Sequence, residues 1–440
     1  MSPAAAGVTA LRGALLTFTG DPFTAGDAVV RYERDGVIAI ADGRITQCGA
    51  AAEVLPHLPP AAEVTTYAHA LISAGFVDAH VHYPQLSVIG VGGVPLLDWL
   101  TQHTFPAEAR HADATHAQEA AKRYVSESLR NGITTAAVFG TVHAHSVDAL
   151  FDAALERNLR TIGGKVLMDR HAPAELLDSA QRAYDESKAL LGRWAGRGRL
   201  GYAITPRFAA TSSPAQLEVA SALWREHPGT WLQSHVAENV AEVEWIRRLF
   251  PEHERYLEVY AHYGLLGPRA VYAHGIHFEE ADRRMLHETG TAIAHCPTSN
   301  TFLGSGLFDL AEAKTPARPV HVALGTDVGG GTSLSMLRTM QAACEVAQLR
   351  GRPLAPTRAW WLATAGGAAA LGLADAIGTL APGREADLVV LDLASTPLIE
   401  YRMRFARSLE ETLGVLMALG DDRAIRATYA AGRKVHDRDG

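Results

Sequence analysis

Gly75-Phe76-Val77-Asp78-Ala79-His80-Val81-His82 is the stretch on which the fold turns. Apolar residues lead up to two histidines at i and i+2, and residues two apart on an extended chain point to the same side. A strand from Gly75 to His80 would therefore present His80 and His82 together where it ends. The pattern recurs downstream. Short apolar runs at Thr134 to Phe139, Thr161 to Met168, Leu200 to Ile204, Trp231 to His235, Ala270 to His274, Thr291 to His295 and Val320 to Gly325 alternate with amphipathic segments such as Ala114 to Arg130 and Glu238 to Leu249. Asn131-Gly132 follows the first of these helices and suits the left-handed residue that closes one. Strand–helix alternation over about 300 residues predicts an α/β chain folded as a (β/α)8 TIM barrel.

The ends read differently. Between Leu11 and Thr66, short apolar runs are cut by Gly20-Asp21, Asp35-Gly36 and Asp42-Gly43, and Val37 to Ile40 with Arg44 to Thr46 is a hairpin candidate. After Ile377, Leu380-Ala381-Pro382-Gly383 is a turn and Ala386 to Leu391 a strand. We therefore expect residues 1–70 and 377–440 to form a small β-sandwich domain beside a barrel of residues 71–376. The uncharged stretch Ala359 to Ala374 is Gly- and Ala-rich and falls short of the roughly 18 apolar residues of a membrane span, so it reads as a buried helix. Met1 to Thr17 carries one Arg and a short apolar run but no signal-peptide pattern, and reads as mature protein.

Composition narrows the chemistry. A net charge of −8 without long single-sign runs carries no Lys/Arg footprint for nucleic acid, which leaves a small-molecule substrate as the better fit. Cys48, Cys296 and Cys344 stand far apart in no redox or metal-finger spacing, and their odd number suits a reducing cytoplasm.

The histidines, 20 in all, carry the chemical signal. Catalytic groups of a (β/α)8 barrel sit at the C-terminal ends of its strands. His80 and His82 end the first strand, His235 the fifth and His274 the sixth, and Asp327 follows the eighth. Imidazole plus carboxylate suits zinc, one ion per chain, with iron or manganese as substitutes. A single histidine reads as a satisfied core or surface residue, as we read His57, His103, His111, His116 and His287; five donors at strand ends in different units do not. A metal there lowers the pKa of bound water toward about 7, and the reaction then needs a proton carrier. Glu238, three residues after His235, is that candidate, although its position also suits a helix N-terminal acid stabilised by the dipole. Asp327 can combine ligation with base chemistry, and His274 can bind metal or hold water. Lys165 lies inside strand three and reads as structural. Val328-Gly329-Gly330-Gly331-Thr332-Ser333 lacks the lysine of a phosphate loop and reads as a tight loop under the metal site. The His-x-Glu and Pro-Cys-x-x-Cys pair of the cytidine deaminase fold does not occur.

Several runs together resemble the guanine deaminase family of the metal-dependent amidohydrolase superfamily. They are 75–85, Leu96-Leu97-Asp98-Trp99-Leu100, Thr104-Phe105-Pro106-Ala107-Glu108, 164–169, Ile204-Thr205-Pro206-Arg207-Phe208-Ala209, Ser234-His235-Val236-Ala237-Glu238-Asn239, Tyr272-Ala273-His274-Gly275 and Leu324-Gly325-Thr326-Asp327. Ala74 departs from the Pro frequent there among relatives. The resemblance implies hydrolysis of guanine to xanthine and ammonia by a homodimer. It implies substrate contacts from Gln85, Trp99, Arg207 and Phe208, with Arg207 donating to the O6 and N7 acceptors of guanine, Gln85 meeting another ring edge and Phe208 stacking. Two other readings use the same residues: a deaminase of another amino-heterocycle (a pterin, triazine or oxidised purine), or a catalytically silent binding protein of the same fold.

Overall fold

The barrel forms because its strands are buried on both faces and its lumen is lined by small residues. In the computed structural model, which describes residues 7–440, eight parallel strands follow one another around the barrel: β5 (Phe76–His82), β6 (Ile133–Phe139), β7 (Arg160–Gly164), β9 (Leu200–Pro206), β10 (Trp231–Val236), β11 (Ala270–His274), β12 (Ala292–His295) and β13 (His321–Leu324). Closure comes just past β13, where Asp327 N donates to His80 O and His82 N to Val328 O, both at 2.8 Å. Ala79, Ala137, Ala203, Ala273, Ala294 and Ala323 fill the lumen, and Ala368, Leu371 and Ile377 seal the end opposite the histidines.

Barrel-strand edges stay within two residues of the sequence reading except at the third strand, and two differences have physical causes. The expected third strand breaks at Lys165, with β8 (Val166–Leu167) continuing beyond it; the fully buried Lys165 ammonium turns aside to pair with Asp178 and Glu186. The expected helix at Ala359–Ala374 is two short helices, Pro356–Leu362 and Ala365–Ala370, because Thr364 leaves helical geometry and donates its hydroxyl to Trp360 O. Ala114–Arg130 is helical as expected, and Gly132 takes the left-handed conformation at φ +77°. Among the described residues no helix is long and apolar enough to cross a membrane.

The chain ends supply one mixed seven-stranded sheet: β1 (Thr9–Phe18), β2 (Val30–Ala41), β3 (Arg44–Ala50), β4 (Glu63–Ala74), β14 (Leu388–Asp392), β15 (Ile425–Ala430) and β16 (Arg433–Asp437), in the order β16-β15-β14-β4-β1-β2-β3. Residues 1–6 of the expected first segment lie outside the described residues. The Asp42-Gly43 hairpin has positive φ at both turn residues, as a two-residue hairpin demands. Its tip rests on Ala431 in the β15–β16 turn, so the far ends of the order face each other across a core of Leu15, Ile38, Leu388 and Tyr429. Arg199 joins sheet to barrel by gripping both Asp387 oxygens, at 2.5 and 2.6 Å.

Close strand packing makes one position decisive. A Cβ on Gly164 would lie 1.8 Å from Ala203 O on the neighbouring strand. Gly164→Ala is expected to destabilise the barrel by about 1–3 kcal/mol or more, as overpacking does, read as a drop in thermal midpoint; an unchanged midpoint would contradict this account of the barrel wall.

Candidate active site

Strand ends deliver the chemistry, and the backbone is bent sharply where they do so. His274, Asp327 and Ala237, none of them glycine, take positive φ of +77°, +48° and +48°. Such geometry costs about 1–3 kcal/mol per residue and survives only where its surroundings enforce it. Asp78 supplies one restraint, its carboxylate accepting from Thr326 N (2.9 Å) and Thr326 Oγ1 (2.5 Å), which ties β5 to the turn carrying Asp327. Burial pushes Asp78 up to about 6.

All five expected donors meet. His80, His235, His274 and Asp327 each offer an atom within 4.8 Å of the others. His82 Nε2 lies 3.2 Å from His80 Nε2, 3.0 Å from His235 Nε2 and 3.5 Å from Asp327 Oδ1. His80 Nε2 is 3.1 Å from the same oxygen. Ligands about 2.1 Å from a tetrahedral zinc stand about 3.4 Å apart, so these spacings fit a single ion. Protonation fits too. His235 Nδ1 lies 2.6 Å from Arg207 O, which can only accept, so Nε2 keeps its lone pair. Burial, then neighbouring imidazoles, hold His82 and His235 well below the usual histidine range, and burial lowers His80, which keeps these rings in the neutral form a metal requires. Asp327 is held low: burial alone would raise it, but His80 and the other imidazoles outweigh that.

His274 faces two ways. Its Nδ1 meets Asn300 Oδ1 at 2.8 Å, and its Nε2, with no hydrogen-bond partner among the described residues, lies 3.4 Å from Glu238 Oε2 and 3.8 Å from Asp327 Oδ2. The ring thus lies between the donor cluster and Glu238. Glu238 is buried, and burial reinforced by the Asp327 charge pushes its carboxyl up to about 8, with Ser305 Oγ donating to it at 3.2 Å. It is not part of a helix as expected: the helix starts at Val240 behind an Asn239 cap, and Glu238 stands in the preceding loop. Glu242 fixes that loop, its Oε2 accepting from Glu238 N (2.9 Å) and Asn239 N (3.2 Å).

One pocket collects His82, His235, His274, Asp327 and Glu238 with Gln85, Trp99, Arg207, Phe208 and Gly330. Every substrate-contact candidate therefore opens on the same space. Trp99 is anchored by its indole N–H to Val91 O (2.6 Å), and the Phe208 ring packs against Trp245. The glycine-rich loop lies beneath as expected, Gly329 N donating to Gln85 Oε1 at 3.1 Å. The sequence reading missed Asn300, Asp78, Glu242 and Glu108. The spacing Asn239-x-x-Glu242 is a capping-box signal that would have placed both the helix start and Glu242. Glu108, inside a quoted run, is buried against Arg207 Nη1 with both oxygens at 2.7 Å and accepts from Gln85 Nε2 at 2.8 Å.

Residues 71–435 match the amidohydrolase family. The guanine deaminase of Escherichia coli (strain K12) is 48% identical over 412 residues, 94% of this chain and 93% of that protein. The solved E. coli guanine deaminase superposes with a TM-score of 0.94 at 46% identity over 98% of this chain and 99% of that one. Guanine deaminase from C. acetobutylicum, solved with guanine bound in the active site, gives 0.88 at 25% identity over 98% of this chain and 100% of that one.

Proposed function

The chain belongs to the amidohydrolase family, on its guanine deaminase side, and from that premise we propose that it hydrolyses guanine to xanthine and ammonia. The observation that carries the reading is the single pocket shared by the histidine and Asp327 cluster, Glu238 and the Gln85–Arg207 pair. The 48% identity to a guanine deaminase across nearly both full lengths supports the choice of substrate.

His80, His82, His235 and Asp327, with His274 as a further donor, are the residues that would hold one zinc ion. Bound zinc supplies the Lewis-acid activation that makes water reactive at neutral pH. The chain does the rest. Arg207 donates to the O6 and N7 edge, Gln85 meets a second edge, and Phe208 and Trp99 give the flat ring apolar walls. Asp327 accepts the proton of the water that attacks C2. Glu238, kept protonated by its burial, donates to the ring nitrogen beside C2, and its carboxylate then takes the proton of the new C2 hydroxyl and passes it to the departing amine. His274 steadies Glu238 and Asp327 from between them. Water adds, ammonia leaves, and C2 of the ring becomes a carbonyl.

A substrate panel tests the choice of ring. Ammonia release is expected to be fastest by far with guanine; negligible guanine turnover beside rapid turnover of a pterin, triazine or oxidised purine would move the proposal to that ring. Arg207→Ala is expected to raise the guanine KM about 10- to 100-fold with metal content unchanged, the mark of lost binding energy; an unchanged KM would remove Arg207 from recognition. The family resemblance also supports a homodimer as the working form, which light scattering on the purified chain checks.

A further inference from the structure

We propose that Glu108 is a positioning and charge-balancing residue, through which Arg207 recognises a neutral base without retaining an acidic product. The inference rests on the guanine reading above. Glu108 is 1% exposed, on the short helix Phe105–Ala109, and stands behind Arg207 and Gln85 without lining the pocket itself. Both of its oxygens take Arg207 Nη1, and Oε1 also takes Gln85 Nε2. Gln85 Oε1 accepts in turn from Gly329 N. The amide is thereby held at both ends and its orientation is set. The guanidinium, over the Phe105 ring at 5.3 Å, is held by one nitrogen, and its other N–H groups donate to no described residue. One carboxylate thus decides which N–H groups of both recognition side chains face the ligand.

Its charge has a second consequence. Arginine stays protonated in proteins, and in a pocket of low dielectric an unbalanced guanidinium attracts any anion strongly. Besides Glu108 itself, Glu238 and the imidazoles of His82 and His235 lie close enough to feel the Arg207 charge. Guanine is neutral near neutral pH. Replacing its amine with a second carbonyl makes the ring N–H of xanthine more acidic than any in the substrate. With Glu108 on its rear nitrogen, Arg207 offers directional donors and little net charge, which favours neutral substrate over partly ionised product.

Two variants separate position from charge. They are read by guanine KM and kcat and by the xanthine inhibition constant at mildly alkaline pH, where part of the xanthine is ionised. Glu108→Gln keeps the reach and loses the charge: the ratio of guanine KM to xanthine Ki is expected to rise at least about tenfold. Glu108→Asp keeps the charge and withdraws the carboxylate by one methylene: guanine KM is expected to rise about tenfold while that ratio stays within about threefold of wild type. An unchanged ratio in the Gln variant, or an unchanged KM in the Asp variant, overturns the proposal. If the unpaired cation prevents the Gln variant from folding, the Asp variant still decides through its KM and its ratio. Wild-type turnover of guanine in the same assay separates failure of this inference from failure of the substrate reading.

Discussion

Glu238→Gln is expected to lower kcat by about 10²- to 10⁴-fold while leaving zinc content and thermal midpoint close to wild type. The carboxyl sits 3.4 Å from His274 Nε2, accepts from Ser305 and stands outside the helix, so the isosteric amide can keep its place. What it cannot do is give up a proton and take one back. Burial and the Asp327 charge hold the acid up to about 8, so at neutral pH it carries the proton that the proposed step delivers to the ring nitrogen. Because an amide also avoids a buried carboxylate, stability has no reason to fall. Steady-state kinetics with metal analysis read the result, and wild-type kcat in the variant would take Glu238 out of the mechanism.

A second large effect is expected at His235. The ring brings one nitrogen to the donor cluster, 3.0 Å from His82 Nε2, and its other nitrogen is fixed by Arg207 O. His235→Ala removes a donor from the centre and loosens the backbone that carries Arg207. Zinc occupancy should fall well below one per chain, and kcat/KM by at least about 10³-fold, the scale on which loss of a preorganised electrostatic group acts. Chelation of the wild-type protein should give the same loss, restored by added zinc. Full activity in the chelated protein would contradict a metal-dependent reaction.

The barrel and its donor residues were legible because both follow short-range rules. Each strand is a short apolar run, four of the eight carry a donor at or just past their ends, and His80-Val81-His82 declares its shared face by spacing alone. Position at a strand end was not enough by itself. His295 ends β12 yet stacks on Phe308 instead of joining the cluster. The partners that hold the site were not legible, because they are joined through space. Asp78 finds Thr326 across 248 positions, Glu108 finds Arg207 across 99 and His274 finds Asn300 across 26. Lys165 shows the opposite limit: its pattern continues a strand, but a buried ammonium must reach Asp178, and the strand breaks there. The seven-stranded sheet was readable as turn-punctuated β structure at both ends, whereas its order, with β4 between β1 and β14, depends on pairings hundreds of residues apart.

The most direct test of the account is a steady-state assay of zinc-replete protein with guanine, following xanthine as it forms. The account predicts stoichiometric xanthine and ammonia with kcat/KM of at least about 10⁴ M⁻¹s⁻¹, within the ordinary range for an enzyme on its own substrate. Folded protein with zinc bound that forms no xanthine from guanine would contradict it.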